Sequence, residues 1–215
     1  MVILIDNGHG SDTESKGKFS PILDESISID KMFVNGNRFR EWKYNRIIAK
    51  DVVEVLKSMG YDARLLVPEE TDISLKERVK RINSVCDKVG ASNVLMISVH
   101  SNAAGNGSTW AKAFGWSCYT TVGTTISDTL AEFLYKRAEE NFKGRKIRKE
   151  LSDGDSDIES NFYIIKGAKC AAVLTENFFY DCKDDLKYLT SDEGVHAVTK
   201  THVEGIIDFI NSRKK

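Results

Sequence analysis

One stretch, from Asn93 to Asn102, constrains the fold of this chain more than any other. It reads NVLMISVHSN, an apolar run that stops at a histidine flanked by serines. Five of the seven residues from Val94 to His100 are aliphatic or Met, which is typical of a strand that is buried on both faces of a parallel sheet. His100 therefore stands at the carboxyl end of a predicted central strand.

Two further apolar runs end in the same way. Residues 2–5 read VILI and lead into His9, and residues 171–174 read AAVL and lead into Glu176. Ligands of open α/β sheets gather outside the carboxyl ends of the strands, so we expect both histidines and Glu176 to lie close together. A buried glutamate is rare unless it is paired or binds a metal. The three strand ends therefore predict a metal site.

The segments between these strands have helical periodicity. Glu41 to Met59 carries apolar residues at helical spacing, and Gly60 is a natural C-terminal cap. A strand over Tyr61 to Val67 completes a strand-helix-strand unit of a parallel sheet. The same reasoning predicts helices over Ile73–Val89, Ser127–Phe142 and Val195–Ile210, and strands over Ala113–Thr120 and Phe162–Lys166. We predict one α/β domain over residues 1–215, with a twisted, mostly parallel central sheet flanked by helices.

Two long polar segments interrupt this pattern. Ser11 to Arg40 follows the first histidine, and because an idle loop of this length would only add ordering cost, we expect it to form a wall of the site. Lys143 to Ser160 ends in the acidic sequence DGDSD, residues 153–157. This sequence invites a calcium interpretation, but it lacks the spacing and the terminal glutamate of an EF-hand loop. A solvated surface loop is therefore favoured.

Charge and sequence patterning exclude several classes of protein. Lys and Arg total 31 and Asp and Glu total 32, which argues against a general electrostatic hold on nucleic acid or an anionic membrane. We expect no membrane insertion and no classical signal peptide, because the first residues enter a strand directly. Reduced thiols are expected rather than a zinc knuckle or a disulfide framework, because no CxxC spacing joins the cysteines, Cys86, Cys118, Cys170 and Cys182.

The residue types at the strand ends suit catalytic zinc. Such a site needs about three protein ligands and one open position, and His9, His100 and one glutamate would satisfy it. A lone histidine at a strand end is more often an ordinary hydrogen-bonded residue, but the equivalent placement of two makes a metal ligand and an ordinary residue equally good interpretations. From the residues alone, Glu41 is interpreted as a helix-starting carboxylate that complements the helix dipole. His196 and His202, on the predicted last helix, are interpreted as solvated or core-edge side chains.

Five short motifs follow one another along the chain. They are IDNGHG with His9, REWKYNR with Glu41 and Asn45, SLKERVKRIN with Arg78 and Asn83, SVHSNA with His100 and Asn102, and LTENFF with Glu176. In this order and strand-helix context, the chain resembles the zinc-dependent N-acetylmuramoyl-L-alanine amidases of the amidase-3 type over nearly its whole length. The resemblance implies an architecture of the zinc-exopeptidase and phosphorylase/hydrolase kind.

The resemblance also implies a role for each central residue. His9, Glu41 and His100 would hold Zn²⁺, and Glu176 would be the catalytic carboxylate beside it. The implied reaction is hydrolysis of the amide bond between the lactyl group of N-acetylmuramic acid and L-alanine of a peptidoglycan stem peptide. Glu176 would take a proton from water and pass it to the departing nitrogen.

Other polar and aromatic residues near the motifs have more than one interpretation. Asn45 and Arg78 lie about one turn from their helix starts, where holding a loop or pairing with a carboxylate is favoured over catalysis. Asn102 could orient a substrate or cap the turn after its strand. The aromatic side chains that could offer flat surfaces to sugar or peptide, with ordinary packing favoured for at least two, are Trp42, Trp110, Trp116 and Tyr119.

Two departures from the family pattern lie around the expected groove. The segment AFGWSCYTT stands where the family tends to have a glycine followed by an acidic residue, and an arginine-containing loop before Glu176 is missing. Both concern substrate details rather than the zinc chemistry. The segment from Gly17 to Pro21 resembles the phage-associated branch. We expect a solitary catalytic domain without a signal peptide, which fits an endolysin that stays in the cytoplasm until a partner protein releases it to the cell wall. A bacterial housekeeping amidase with an unusual export route is the less favoured alternative.

Two other functions fit parts of the sequence. A zinc peptidase on a related carboxypeptidase-like architecture would cut within the stem peptide. A catalytically silent module would use the groove only to bind peptidoglycan. The presence of both the predicted ligands and a separate carboxylate, Glu176, argues against the silent module.

Overall fold

A six-stranded sheet forms the centre of the molecule in the computed structural model, which describes residues 1–16, 18–152 and 154–214. The strands are β1 (Val2–Asn7), β2 (Val34–Asn35), β3 (Arg38–Phe39), β4 (Asp62–Leu65), β5 (Val94–Asn102), β6 (Ser117–Thr120), β7 (Ile158–Glu159) and β8 (Ala171–Phe179). The α-helices are α1 (Glu41–Ser58), α2 (Leu75–Val89), α3 (Ile126–Asn141), α4 (Tyr163–Lys166), α5 (Lys183–Leu189) and α6 (Asp192–Ser212). Short 3₁₀ helices cover Ser11–Lys16, Lys31–Phe33 and Ala91–Asn93.

The sheet is mostly parallel, as the sequence predicts. Its strand order is β4-β1-β5-β8-β6-β7. Neighbouring strands are parallel except for β6, which runs antiparallel to β8. The strands β2 and β3 form a separate antiparallel pair within the long loop after His9. The central strands β1, β5 and β8 therefore carry His9, His100 and Glu176 towards one edge of the sheet.

Alternation of side chains along the strands divides the core between two faces. Ile3 and Ile5 of β1 pack with apolar residues of α1, α3, α5 and α6 on one face. Val2 and Leu4 pack on the other face, with α2 and α4. Because a fully buried strand must be apolar on both sides, its sequence reads as a continuous hydrophobic run. The predicted single-domain α/β fold with flanking helices is confirmed.

Two sequence predictions fail at the edges of this architecture. Phe162–Lys166 was predicted as a strand, but Tyr163–Lys166 is the short helix α4. Ile164 and Ile165 are both buried, and a continuous apolar run cannot distinguish a helical turn from a strand. The strand predicted over Ala113–Thr120 shortens to Ser117–Thr120, because Gly115 has a φ of 108° that breaks the extended backbone.

The acidic end of the second long loop also differs from its prediction. Ser156 and Asp157 are buried, with only 1 % of Asp157 exposed, so the interpretation of this segment as a solvated surface loop is wrong for these residues. Gly17 of the Gly17–Pro21 segment and Asp153 of the DGDSD sequence lie outside the described residues. In the part of the chain that is described, no helix is long and apolar enough to span a bilayer.

His202 is a core residue of α6 with both ring nitrogens bonded. Its Nδ1 lies 2.7 Å from the carbonyl oxygen of Val198, to which it must donate, and its Nε2 lies 2.9 Å from the hydroxyl of Thr175 on β8. The ring is therefore neutral, with Nε2 accepting from the hydroxyl. Burial lowers the pKa of His202 from 6.5 to about 4, against a smaller opposing effect of the Val198 carbonyl.

This histidine predicts a loss of stability at acidic pH. Its pKa is lower in the folded than in the unfolded protein, so its contribution is complete above pH 6.5 and is lost as the pH falls towards 4. The loss amounts to about 3 kcal/mol. Urea unfolding at several pH values should show a steeper acid-side decline for the parent protein than for His202→Asn. The exposed control His196→Asn should decline like the parent, and equal slopes for all three proteins would contradict the prediction.

Candidate metal centre

The first histidine of the site is held in an unusual backbone conformation at the end of β1. His9 has a φ of 65°, in the left-handed region that non-glycine residues rarely adopt. A Cβ atom on Gly8 would lie 2.2 Å from the His100 ring, and one on Gly10 would lie 2.1 Å from the backbone nitrogen of Asp72. The IDNGHG sequence therefore needs both glycines, because each allows an approach that any side chain would block.

Glu41 reaches the two histidines from the first residue of α1. Its Oε2 lies 3.4 Å from Nε2 of His9, and its Oε1 lies 3.1 Å from Nδ1 of His100. The imidazole rings meet edge to face with centroids 5.0 Å apart. One ligand atom from each of the three side chains lies within 4.8 Å of the other two. The fold thus brings together three residues that are separated by up to 91 positions in the sequence.

The donor set fits a zinc ion. Zinc takes imidazole nitrogens and carboxylate oxygens, and a catalytic site supplies three of them and leaves a position open. The glutamate is 1 % exposed, and a buried carboxylate facing two imidazoles needs protons or a cation between the groups. One side of the His9, Glu41 and His100 set opens to a cavity of about 280 Å³, which Glu41 and His100 both line.

Glu41 and the two histidines interact electrostatically. Burial raises the pKa of Glu41, but the charges and hydrogen bonds of His9 and His100 outweigh it and hold the pKa well below its usual value. Burial lowers the pKa of His100, an effect that the hydrogen bond from His100 to the Glu41 carboxylate opposes and the charge of His9 strengthens. An ionised glutamate beside a neutral His100 is the protonation state in which both side chains can donate electron pairs to a metal.

Glu176 lies beside this group on the neighbouring strand. It is paired with His100 in the register of β5 and β8 and lines the same cavity. Its Oε2 is buried without a hydrogen-bond partner among the described residues. Burial and then the charge of Glu41 raise its pKa well above the usual value, while Lys18 opposes them. A carboxyl group whose pKa is raised in this way suits general acid-base chemistry.

Asn45 and Arg78 form hydrogen bonds to Glu41 and to the residues that precede His9. The amide nitrogen of Asn45 donates to Oε1 of Glu41 at 3.1 Å and to the carbonyl of Gly8 at 3.2 Å. The Arg78 guanidinium donates to Asp6 at 2.6 Å and to the Asn7 carbonyl at 2.8 Å. These bonds hold the glutamate and the turn before His9, in agreement with the structural role that the sequence favours for both residues.

Removal of Arg78 is expected to destabilise the fold. In Arg78→Met the carboxylate of Asp6, which is 1 % exposed, loses its buried cation, and loss of one partner of such a pair costs about 3–5 kcal/mol. Urea unfolding should show this decrease. Arg81→Met is the matched control on the same helix, because its ion pair with Glu69 is partly exposed and is worth less than about 1 kcal/mol. Equal stabilities of the two variants would contradict the prediction.

Asn102 and three residues that the sequence did not single out complete the surroundings. The side-chain oxygen of Asn102 accepts from the Ala103 N–H at 2.8 Å, and Asn102 also lines the cavity. Lys18 and Tyr180 line it too. Asn177 donates to the His100 carbonyl at 2.8 Å. Asn177 lies inside the LTENFF motif and Lys18 lies in the loop that was predicted to line the site, so each had a signal in the sequence, whereas no local pattern marks Tyr180.

The long loop after His9 meets the site at Lys18. This residue lines both the 280 Å³ cavity and a second cavity of about 400 Å³ on the His9 side. The carbonyl of Lys18 accepts from the Glu41 N–H at 3.4 Å, which ties the loop to the start of α1. The predicted wall is therefore present at this residue. Of the aromatic candidates, Trp116 is fully buried and cannot offer a face to a substrate.

Comparisons with known proteins agree on one family. A model described as amidase-3, N-acetylmuramoyl-L-alanine amidase, matches residues 3–208. An endolysin of Bacillus phage SPP1 is 29 % identical over 177 residues, which are 78 % of this chain and 57 % of that protein. The N-acetylmuramoyl-L-alanine amidase AmiA of Escherichia coli strain K12 is 32 % identical over 152 residues, which are 69 % of this chain and 48 % of AmiA. The chain thus spans about half the length of these two relatives.

A solved structure shares the fold of this chain over nearly the whole length of both. The catalytic domain of CwlV, an N-acetylmuramoyl-L-alanine amidase from Bacillus (Paenibacillus) polymyxa var. colistinus, superposes with a TM-score of 0.72. The superposition covers 98 % of each chain at 21 % sequence identity. At this identity the likeness concerns the fold, which is that of an amidase catalytic domain.

Proposed function

We propose, on the premise that this chain belongs to the amidase-3 family of N-acetylmuramoyl-L-alanine amidases, that it hydrolyses the amide bond between N-acetylmuramic acid and L-alanine of peptidoglycan stem peptides and uses zinc as its cofactor. One observation carries the proposal. His9, Glu41 and His100 bring three ligand atoms within 4.8 Å of one another, and Glu176 lines the cavity next to them. Together they supply a metal-binding set and a separate carboxyl group.

The assignment of His9, Glu41 and His100 as zinc ligands rests on their chemistry and their support. A bound zinc ion supplies Lewis acidity, which activates water as a nucleophile and polarises a carbonyl group. The glutamate is oriented by Asn45 and by the Ser101 N–H, which donates to Oε1 at 3.3 Å. Hydrogen bonds of this kind fix the orientation of metal ligands. The Glu41 side chain therefore needs little rearrangement to bind an ion.

Glu176 is proposed as the group that moves the proton. Its Oε2 has no hydrogen-bond partner among the described residues, so it is free to accept the proton of an attacking water. The raised pKa of this carboxyl group lets it keep that proton until the amide nitrogen departs and takes it up. Oε2 is the atom that we expect to carry the proton in both steps.

The substrate would lie across the two cavities that meet at His100. The cavity on the Glu176 side is lined by polar groups, among them Asn102, Asn106 and Tyr180. The cavity on the His9 side includes Ile73 and Leu75. A muramoyl peptide, which has groups of different polarity on either side of the scissile amide, suits such a pair of compartments. A role of Asn102 in orienting the substrate belongs to this proposal.

We further propose that residues 1–215 act as one catalytic unit in a cell-wall lytic enzyme of the endolysin kind. The endolysin of Bacillus phage SPP1 among the relatives supports this setting. In it, the protein would remain in the cytoplasm until release and would then act on the wall. The substrate, peptidoglycan, is the partner that this function requires.

Digestion of purified peptidoglycan by the zinc-loaded protein tests the proposed function. Mass spectrometry of the soluble fraction should detect free stem peptides that begin at L-alanine, and the glycan strands should carry newly formed lactyl carboxylates. Fragments cut within the stem peptide would instead identify a zinc peptidase. Binding to the wall without any released fragment would identify a silent binding module. Either of these two results would overturn the proposal.

A further inference from the structure

A second group of acidic side chains lies at the far edge of the sheet. Asp128 and Glu132 project from α3, one turn apart, and Asp155 and Asp157 lie on the loop that leads into β7. The carboxyl groups of Asp155 and Asp157 contact each other, and the charge of Asp128 also acts on Asp157. Glu132 accepts from the Ser156 N–H at 2.7 Å. Two carboxyl groups from α3 and two from the loop before β7 thus meet at this loop.

Asp157 is the buried member of this group. It is 1 % exposed, and its Oδ2 accepts a short hydrogen bond from the hydroxyl of Thr120. Its Oδ1 is buried with no hydrogen-bond partner in the part of the chain that the structure describes. A buried carboxylate oxygen without a donor or a cation costs free energy, so such atoms are rare in folded proteins. The orphaned oxygen indicates a ligand on this side of the carboxylate.

Three carboxyl groups of this cluster have no cationic partner among the described residues: neither Asp128 nor Glu132 nor Asp157 has a Lys, Arg or His partner within 4.0 Å. The carboxyl group of Asp128 instead accepts from the N–H and the hydroxyl of Thr125 at the start of α3. Burial, together with Asp155 and Asp128, raises the pKa of Asp157 to about 6, against the opposing bond from Thr120. A bound divalent cation would replace the proton that this repulsion favours.

We propose that Asp155 and Asp157 bind a calcium ion, with Asp128 and Glu132 supplying surrounding negative charge. The donors are carboxylate oxygens, which calcium prefers, and the site lacks the imidazole that favours zinc or copper. Only the His9, Glu41 and His100 set brings three His, Cys, Asp or Glu ligand atoms within 4.8 Å among the described residues. The calcium site therefore rests on two carboxylates, and backbone carbonyls and water complete its six to eight ligands.

The site is separate from the candidate metal centre. The strand β6 is antiparallel to β8, with Ser117 opposite Glu176 and Tyr119 opposite Leu174. Thr120, which bonds Asp157, is three residues beyond Ser117, which places it roughly 10 Å along the strand from Glu176. An ion there would fasten the loop before β7 to the start of α3 and to β6. Its expected effect is on stability rather than on the reaction.

Calcium binding to the zinc-saturated protein tests the proposal. Isothermal titration calorimetry with CaCl₂ should show one ion per chain with a Kd of roughly 10⁻⁵ to 10⁻³ M, and saturating calcium should raise the Tm by a few degrees. Asp157→Asn should weaken binding at least about tenfold, because it removes a charged ligand. Asp155→Asn, at a less buried position, should do the same and covers the case in which Asp157→Asn fails to fold.

The controls separate this site from nonspecific binding. Asp87→Asn changes an exposed aspartate on α2 that pairs with Lys169, and it should bind calcium like the parent protein. Magnesium should bind more weakly, because two carboxylates on a loop do not impose its octahedral geometry. The proposal is overturned if the parent protein gives neither heat nor a Tm shift up to about 10 mM calcium, well above this affinity range. It is equally overturned if both variants bind calcium as tightly as the parent.

Discussion

Glu176→Gln is expected to give a folded, zinc-binding protein whose turnover of peptidoglycan is lower by about 10³-fold or more. The substitution keeps the size of a side chain that packs next to His100 in the register of β5 and β8. It removes the oxygen that can accept a proton, because an amide is not basic at neutral pH. Zinc binding should be unaffected, since the residues that could hold the ion are His9, Glu41 and His100 and do not include Glu176.

The measurement is the rate of release of stem peptides, together with zinc content by atomic emission. Glu193→Gln, at an exposed position in the first turn of α6, is the matched control and should act like the parent protein. A Glu176→Gln protein with near-parent rates would remove the residue from its proposed role. A variant that loses zinc as well would instead make Glu176 a ligand.

His9→Ala is expected to lose zinc and activity together. The imidazole supplies one of three ligand atoms, so its removal should weaken zinc binding by more than the roughly 10–100-fold that follows loss of a hydrogen-bonded partner of a ligand. The fold should survive, because the His9 side chain is only partly buried. Turnover should fall with the fraction of protein that holds zinc.

Competition with a chromogenic zinc chelator measures this affinity, and circular dichroism reports the fold. His196→Ala, an exposed histidine on α6, is the control and should retain both zinc and activity. Stoichiometric zinc in His9→Ala at parent affinity would show that His9 is not a ligand. The two substitutions together separate metal binding from proton transfer, because one should abolish both and the other only the reaction.

The central elements of the fold could be predicted because their signals are local. The strands β1, β5 and β8 are continuous apolar runs, and a strand covered by helices on both faces needs that composition. The helix α1 begins at Glu41, as its periodicity predicts, and the chain turns after Ser58 near Gly60. Local periodicity failed at Phe162–Lys166, where two buried isoleucines occur in a helix of four residues, a length at which strand and helix patterns are alike.

The surroundings of the site depended on distant parts of the chain. Lys18 and Tyr180 border one cavity although they are far apart in sequence, and no short-range pattern connects them. Asp157 appears in a motif that is typical of a solvated loop, but the contact with Thr120 on β6 buries it. Burial of a polar residue is decided by what packs over it, which spacing along the chain does not record.

The sequence by itself determined the sheet, its helices and the strand ends that carry His9, His100 and Glu176, because hydrophobic periodicity and chain direction are properties of neighbouring residues. Family resemblance apart, only the tertiary structure decided that Glu41 meets both histidines instead of merely starting a helix. That outcome depends on how α1 packs against the carboxyl edge of β1 and β5, and the bonds from Asn45 hold it there. The convergence of side chains from separate elements follows from packing in three dimensions, for which one-dimensional spacing carries no signal.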